Sequence, residues 1–537
     1  MNTFTIKYSA SGKCLSASGS NEDFELSTKD ESGRLTITLR AKKDIKLLNF
    51  TESLPFSPSR DDKYFLNGYQ SWTDTKEFTF SERERNVNKL PRLLVNKFAF
   101  DSYGDAKFYA YGKHLLHGYD IFYCKGNREK FILNLNYTRA YLVIELDKRE
   151  KKITLSHDFN GYAVAAGTEF TVADFYLSDS VSKGMEYFNT VFPRKSTPKI
   201  FGYTSWYNYY QDISESIILR DLNALDSQFN LFQIDDGYET KVGDWLSVDK
   251  RKFPNGLKPI VDEAHKKGLS AGIWLAPFVA EEESELFKTR KELFKRDREG
   301  NFVKGGANWS GFYALDIENP EARAYIEKCL KHYADMGFDF FKLDFLYAVN
   351  LVCDEGMSRS MVAEKAYSYL REWLGDKIIL GCGATVFNCI DKFDYLRIGP
   401  DVSLIFDDVW FMRHMHRERI STKVTLQNTV YRSFFNGRLF GNDPDVFLLR
   451  DDNIKLSARQ RKALLTLNAL FGSVLMTSDN LGQYDGNKRK LLGDALNLFY
   501  NAQVTGYCRK GNTIEITYKL NDKTEKIEYD TKRGILL

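Results

Sequence analysis

The chain has 537 residues, 43% of them hydrophobic and 28% charged, enough for one large core and at least one smaller domain. Lys and Arg number 76 against 73 Asp and Glu, a formal net charge of +3 without long single-sign runs. Charge therefore gives no support to a nucleic acid or a membrane as partner and points to a neutral small molecule, with oligomeric state left open.

Seven cysteines, at 14, 124, 329, 353, 382, 389 and 508, show no C-x-x-C spacing, which argues against a disulfide framework and a zinc site. The amino terminus, Met1 to Tyr8, has no basic stretch followed by an apolar run, and no later segment nears the ~18 apolar residues of a membrane helix. A cytoplasmic location is expected.

Short alternating runs such as 34–39, 130–135 and 141–146 recur between turn clusters like Cys124-Lys125-Gly126-Asn127, the pattern of an antiparallel β-sandwich. The stretch 191–198 carries two prolines and reads as a linker. Candidate strands then follow at 201–206, 231–235, 271–275, 338–344, 378–382, 395–398, 439–443 and 473–477, most of them succeeded by helical patterns, clearest at 457–470. This alternation suits a (β/α)₈ barrel. A doubly wound sheet is the competing assembly, but no glycine-rich dinucleotide loop follows any of these strands. The β rhythm returns at 513–518 and 526–529. The expected architecture is α/β: an amino-terminal β-sandwich over 1–195, a central TIM barrel over 196–485 and a small β-domain over 486–537.

In a barrel the carboxy-terminal strand ends carry the active site. Polar and aromatic residues fall there repeatedly: Ser205-Trp206-Tyr207-Asn208, Asp235-Asp236-Gly237-Tyr238, Trp274, Lys342 with Asp344, Gly381-Cys382-Gly383, Arg397 to Asp401, and Asn442-Asp443-Pro444-Asp445. Period-two alternation puts Lys342 and Asp344 on one face of an otherwise apolar strand. Burying such a pair for stability alone gains little, because desolvation offsets most of the attraction. Two acids on separate strand ends are the equipment of glycoside cleavage, and amides and aromatics around them match sugar hydroxyls and sugar faces.

These motifs, with Gly272-Ile273-Trp274, Lys342-Leu343-Asp344, Ser478-Asp479 and the amino-terminal Asn67-Gly68-Tyr69-Gln70-Ser71-Trp72, resemble glycoside hydrolase family 36, the α-galactosidases of clan D. The resemblance implies a retaining α-galactosidase acting on small α-galactoside oligosaccharides without a cofactor or metal. It makes Asp344 the nucleophile and Asp401 the acid/base. Asp235 and Asp236 would accept from the 4- and 6-hydroxyls, Lys342 would meet ring hydroxyls, Arg397 would steady the hydroxyl beside the anomeric centre, and Cys382 would lie near the 2-position. Trp206, Tyr207 and Trp274 would form aromatic walls, with Trp72 reaching over from the sandwich. Lys342 is expected to favour ionised Asp344, whose charge should in turn raise Asp401.

Taken singly, each motif has an ordinary structural explanation. Asp-Asp-Gly can cap a helix, Lys342 and Asp344 can form an internal ion pair, Trp274 can be core, and Cys382 can pack as a small hydrophobe. Glu281-Glu282-Glu283 reads as a solvated helix start, and His414 and His416 as a basic, loop-like stretch without an acidic partner. An α-N-acetylgalactosaminidase or a raffinose-synthase-like galactosyltransferase keeps the same chemistry. A metal-dependent barrel using Asp235, Asp236, Asp344 and Asp401 as ligands is the alternative of another class, disfavoured by Lys342 and Arg397 among them.

Overall fold

The computed structural model describes residues 3–537; Met1 and Asn2, the start of the stretch read above for a leader, lie outside the described residues. The amino-terminal part packs two antiparallel sheets face to face. One has six strands in the order Lys13–Ala17, Thr3–Ala10, Ile45–Pro55, Lys152–Val164, Val143–Asp147, Leu115–Tyr119. The other has seven and centres on Arg34–Ala41, Glu169–Ser178 and Lys130–Asn134. Alternation buries Ile37, Leu39 and Ala41 between the sheets while Arg34 and Arg40 face solvent.

The barrel is a nine-stranded parallel sheet of β1 (Ile200–Thr204), β2 (Leu231–Ile234), β3 (Ser270–Leu275), β4 (Phe340–Leu343), β5 (Ile378–Gly381), β6 (Tyr395–Arg397), β7 (Gly441–Asp443), β8 (Val446–Phe447) and β9 (Val474–Thr477). Strands such as β2, β4 and β9 are buried along their whole length, which is why they read as apolar runs rather than alternating ones. β7 and β8 are one barrel strand interrupted at Pro444-Asp445. Proline cannot donate to the ladder and Asp445 takes φ 73°, so β7 pairs with β6 and β8 with β9. The Ser473 N–H donates to the Asn442 carbonyl (2.8 Å) across that break.

Three helices matter below: α1 (Thr422–Tyr431), α2 (Ala458–Phe471) and α3 (Gly486–Asn501). The segment 486–537, expected as a β-domain, opens with α3, which packs on α2 beside the barrel; its four-stranded antiparallel sheet begins at Gln503. No helix among the described residues is long and apolar enough to cross a membrane.

Two local expectations are corrected. Glu281 is not part of a solvated helix start: it ends the strand Val279–Glu281 of a three-stranded sheet inserted between β3 and β4, and is buried. It accepts from the Val242 N–H (3.0 Å) and the Ser310 hydroxyl (2.8 Å), partners distant in sequence, while the next helix starts after Ser284, whose hydroxyl caps it. His414 belongs to the short helix Trp410–Met415, and His416 is buried with Nδ1 3.6 Å from Glu418 Oε2, so the stretch is neither loop-like nor without an acid. Burial, reinforced by Arg419, drives His416 down to about 3.

The sandwich is tied to the barrel through the loop 67–75. Arg432, just beyond α1 and 1% exposed, donates to Asn67 Oδ1 (3.0 Å) and to the carbonyls of Gln70 (3.1 Å), Ser71 (2.5 Å) and Ile398 (2.9 Å). Asn428 accepts from the Thr75 N–H (2.8 Å) and donates to the carbonyls of Thr73 and Ile398 (both 3.0 Å). One helix end thus fixes both the sandwich loop and the strand that leads to Asp401.

Candidate active site

Asp344 follows β4 and is held from three directions. The Trp274 indole donates to Oδ2 (3.0 Å), the Phe345 backbone N–H donates to Oδ1 (2.8 Å), and Cys382 hydrogen-bonds the carboxyl from β5. Phe345 adopts φ 54°, a left-handed conformation costly for a residue with a Cβ, which turns its N–H back onto the carboxylate. Burial raises Asp344 above the ordinary carboxylate range; Lys342 pulls it down, and the charge of Asp401 pushes it up. The expectation that Lys342 would favour the ionised form holds for its direction alone, because burial outweighs it.

The reason is where the ammonium goes. Lys342 Nζ donates to Asp235 Oδ2 (2.8 Å), not to Asp344. Burial by itself would depress this ammonium, but the charge of Asp235, with that of Asp344, holds it above its usual value. Asp235 also accepts from the Gln233 amide (2.7 Å) and the Thr204 hydroxyl (3.1 Å), so β1, β2 and β4 converge on one carboxylate.

Asp236 accepts from the Gln211 amide (3.0 Å) and the Trp309 indole (2.9 Å). Glu239 shares this corner; burial and then the charge of Asp236 push it well above the carboxylate range, so Glu239 is the partner that keeps its proton. Trp309 comes from the inserted sheet, takes φ 55°, and packs against Trp274 and Phe345 with ring centroids 6.1 and 5.1 Å away. Its role was not legible, because no local pattern reports a contact to Asp236 across 73 residues. Its only sequence signal was an Asn308-Trp309 pair inside the insertion.

Arg397 ends β6 with every branch of its guanidinium on a carboxylate: Asp443 (2.9 Å), Asp445 (2.9 Å) and Asp401 (3.0 Å). Its donors were expected to face a sugar hydroxyl; here they are bound to protein because the broken strand delivers Asp443 and Asp445 to the same point. Tyr207, expected as an aromatic wall, is buried with its hydroxyl donating to Asp445 (2.5 Å), while Trp206 beside it is half-buried. Burial pushes Asp445 up to about 6 against the pull of Arg397, and Asp401 adds to the rise. Three carboxylates share one guanidinium, and Asp401, with 30% of its side chain exposed, is the one open to solvent.

Trp72 reaches the barrel rim. Its indole donates to Cys382 Sγ (3.3 Å) and its ring meets Phe345 and Tyr347 edge-on at 5.3 and 5.6 Å. Gly383 makes room for it: a Cβ there would lie 3.0 Å from the indole, on a backbone with φ 62°. The site therefore joins Asp235, Asp236, Trp274, Lys342, Asp344 and Cys382 in one contact network, with Arg397 and Asp401 facing them. Among the described residues no group of three or more His, Cys, Asp and Glu side chains is arranged to hold a metal ion.

A sequence model described as the glycosyl hydrolases family 31 TIM-barrel domain matches residues 195–425. Solved structures extend the likeness over most of the chain. TtGalA, the α-galactosidase from Thermus thermophilus in complex with stachyose, aligns with TM-score 0.69 and 25% identity over 88% of this chain and 99% of that one. The fold is that of the TIM-barrel glycosidases. The α-galactosidase AgaA from Geobacillus stearothermophilus, described as GH36, shares that fold with TM-score 0.62 at 12% identity, over 94% of this chain and 72% of that one.

Curated relatives match over shorter stretches. The A type blood α-D-galactosamine galactosaminidase of Flavonifractor plautii is 30% identical over 125 residues, which are 22% of this chain and 12% of that protein. The α-xylosidase XylQ of Lactiplantibacillus pentosus is 29% identical over 154 residues, 27% of this chain and 20% of that protein. The α-galactosidase Mel36A of Lactobacillus acidophilus is 26% identical over 175 residues, 31% of this chain and 23% of that protein. The chain thus spans less than a quarter of the length of these three relatives. The matching sequence model is that of family 31, whereas the motifs resemble family 36.

Proposed function

We propose that this chain is a retaining α-galactosidase of the family 36 type, with Asp344 as nucleophile and Asp401 as acid/base. One observation carries the reading: Asp344 is pinned by the Trp274 indole and the Phe345 N–H, while a second acid, Asp401, stands on another strand end within reach of its charge. In the first step an Asp344 oxygen attacks the anomeric carbon and a glycosyl ester forms. The bond to the leaving oxygen breaks as Asp401 supplies a proton to that oxygen. In the second step Asp401 takes a proton from water, the water oxygen bonds to the anomeric carbon on the face vacated by the aglycone, and Asp344 leaves as carboxylate. Two inversions give net retention.

Asp235 and Asp236 are acceptors for sugar hydroxyls, oriented by Lys342, Gln233, Gln211 and Trp309. Trp72, Trp274 and Trp206 bound the sugar faces, and Cys382, under the Trp72 indole, stands at the 2-position. Arg397 orients Asp401 rather than the sugar. The α-galactosidase complex with stachyose supports an α-galactoside as substrate. Seven free cysteines, among them the exposed Cys14 and Cys508, fit the reducing cytoplasm.

The test is a panel of 4-nitrophenyl α-galactoside, α-N-acetylgalactosaminide, α-xyloside and α-glucoside, with and without EDTA. Selective cleavage of the α-galactoside, indifferent to EDTA, is expected. Preference for the acetamido sugar would move the specificity to the galactosaminidase relative, and loss of activity to EDTA would defeat the two-carboxylate reading.

A further inference from the structure

Away from the barrel rim, on the sandwich, lies an open groove of about 610 Å³ lined by Arg60, Arg83, Lys113, His114, Lys148 and Arg149, with the Phe80 ring beside them. That volume lies within the range of ordinary small-molecule sites, roughly 300–1,000 Å³. Among the described residues no acidic side chain lines it, and its five Lys and Arg exceed the net charge of +3 carried by the whole chain.

Asp61, next to Arg60, is exposed and does not line the groove, and the other carboxylates near in sequence are committed elsewhere. Glu82 pairs with Lys76 (2.6 Å) and Arg509 (3.3 Å), and Glu84 with His117 (2.6 Å). Asp62 accepts the backbone N–H groups of Ser59 (2.7 Å) and Asn127 (2.8 Å), and Asp147 those of Arg149 (2.8 Å) and Glu150 (2.9 Å). Among the described residues Arg60, Arg83 and Lys113 have no ion-pair partner, and Arg149 has only the exposed Glu150 at 3.8 Å. Lys148 is anchored at the floor by the carbonyls of Glu82 (2.7 Å) and Phe80 (3.2 Å).

Like charges held together in a concavity raise each other's energy and favour an anion that several can share. Three arginines offer planar forks that match phosphate oxygens, and two lysines offer compact point charges. We propose that this groove binds the phosphate groups of a phosphate-bearing ligand, in a role separate from glycoside cleavage. A soluble polyphosphate and a lipid headgroup share that chemistry, and the arms of the test separate them.

Binding of sodium tripolyphosphate and of orthophosphate is measured by calorimetry on the full chain, alongside co-sedimentation with phosphatidylglycerol and phosphatidylcholine vesicles. The same measurements are made on Arg83→Gln/Lys113→Gln, two exposed positions whose replacement leaves the core untouched. Saturable one-to-one binding of tripolyphosphate, tighter than orthophosphate and weakened about tenfold or more in the double variant, is the expected result, since hydrogen bonds to charged groups each carry about a tenfold effect. Hydrolysis of 4-nitrophenyl α-galactoside should be unchanged in the variant. Binding confined to phosphatidylglycerol vesicles and lost in the variant would support the site with a lipid as its source. Absence of binding to every phosphate probe, or equal affinity in the variant, would overturn it.

Discussion

Asp344 has its pKa set by opposed influences, and one of them is a single hydrogen bond. The Trp274 indole lowers Asp344 while burial raises it. Trp274→Phe removes the donor, so Asp344 should rise further and the acidic limb of kcat/KM, which requires the ionised nucleophile, should move to higher pH. A fall of roughly tenfold at the optimum is expected for a lost charge-assisted bond. A pH–rate profile with an unmoved acidic limb would mean that Trp274 only fills space. A second carboxyl gives a prediction about stability. Asp120 is buried, and burial pushes it up to about 7 against the Asn134 amide (2.7 Å) and the Leu142 N–H (2.9 Å). Its unfolded value is about 3.9, so the folded state prefers the protonated form. That contribution is complete below about pH 3.9 and is lost as pH rises through 7. Asn keeps the acceptor and tolerates the φ of 66° at this position. Asp120→Asn should therefore raise Tm at pH 8 and converge on wild type toward pH 4, which thermal unfolding at the two pH values checks.

Arg432 and Asn428, at the end of α1, hold the sandwich loop and the approach to Asp401 together. Arg432→Met would strand the Ser71 carbonyl and Asn67 Oδ1, each costing about 1–3 kcal/mol when buried without a partner, and would take one of two donors from the carbonyls of Gln70 and Ile398, which keep the Thr73 N–H and the Asn428 amide. A loss of about 3 kcal/mol or more in denaturant unfolding is expected, with activity falling as Trp72 loosens; an unchanged midpoint would contradict the clamp. This device was not legible in the sequence, because an arginine after a helix carries no sign of partners some 360 residues away. The barrel strands were legible, since fully buried parallel strands leave continuous apolar runs ending in polar residues. The break between β7 and β8 was half visible, as Asp443-Pro444-Asp445, but not its consequence, which is to bring two carboxylates onto Arg397. Glu281 and Trp309 failed for the same reason as Arg432: their meaning lies in contacts across the inserted sheet.

At the scale of the whole molecule, sandwich and barrel are not independent. Phe65, Trp72, Tyr123 and Phe131 of the sandwich belong to the same apolar core as the barrel strands. Calorimetry should therefore give one cooperative transition for these two parts, and two well-separated transitions would show that the shared core does not couple them. Function follows the same line, because Trp72 reaches Cys382 and Gly383 only from a docked sandwich.

The central claim is the pairing of Asp344 as nucleophile with Asp401 as acid/base, and azide rescue tests it most directly. In Asp344→Ala, hydrolysis of 4-nitrophenyl α-galactoside should be abolished, and added azide should restore turnover by entering the face that the carboxylate left, giving β-galactosyl azide. In Asp401→Ala, azide should intercept the intermediate on the opposite face and give the α-azide. Full activity in Asp344→Ala without azide, or the same azide anomer from both variants, would contradict the assignment.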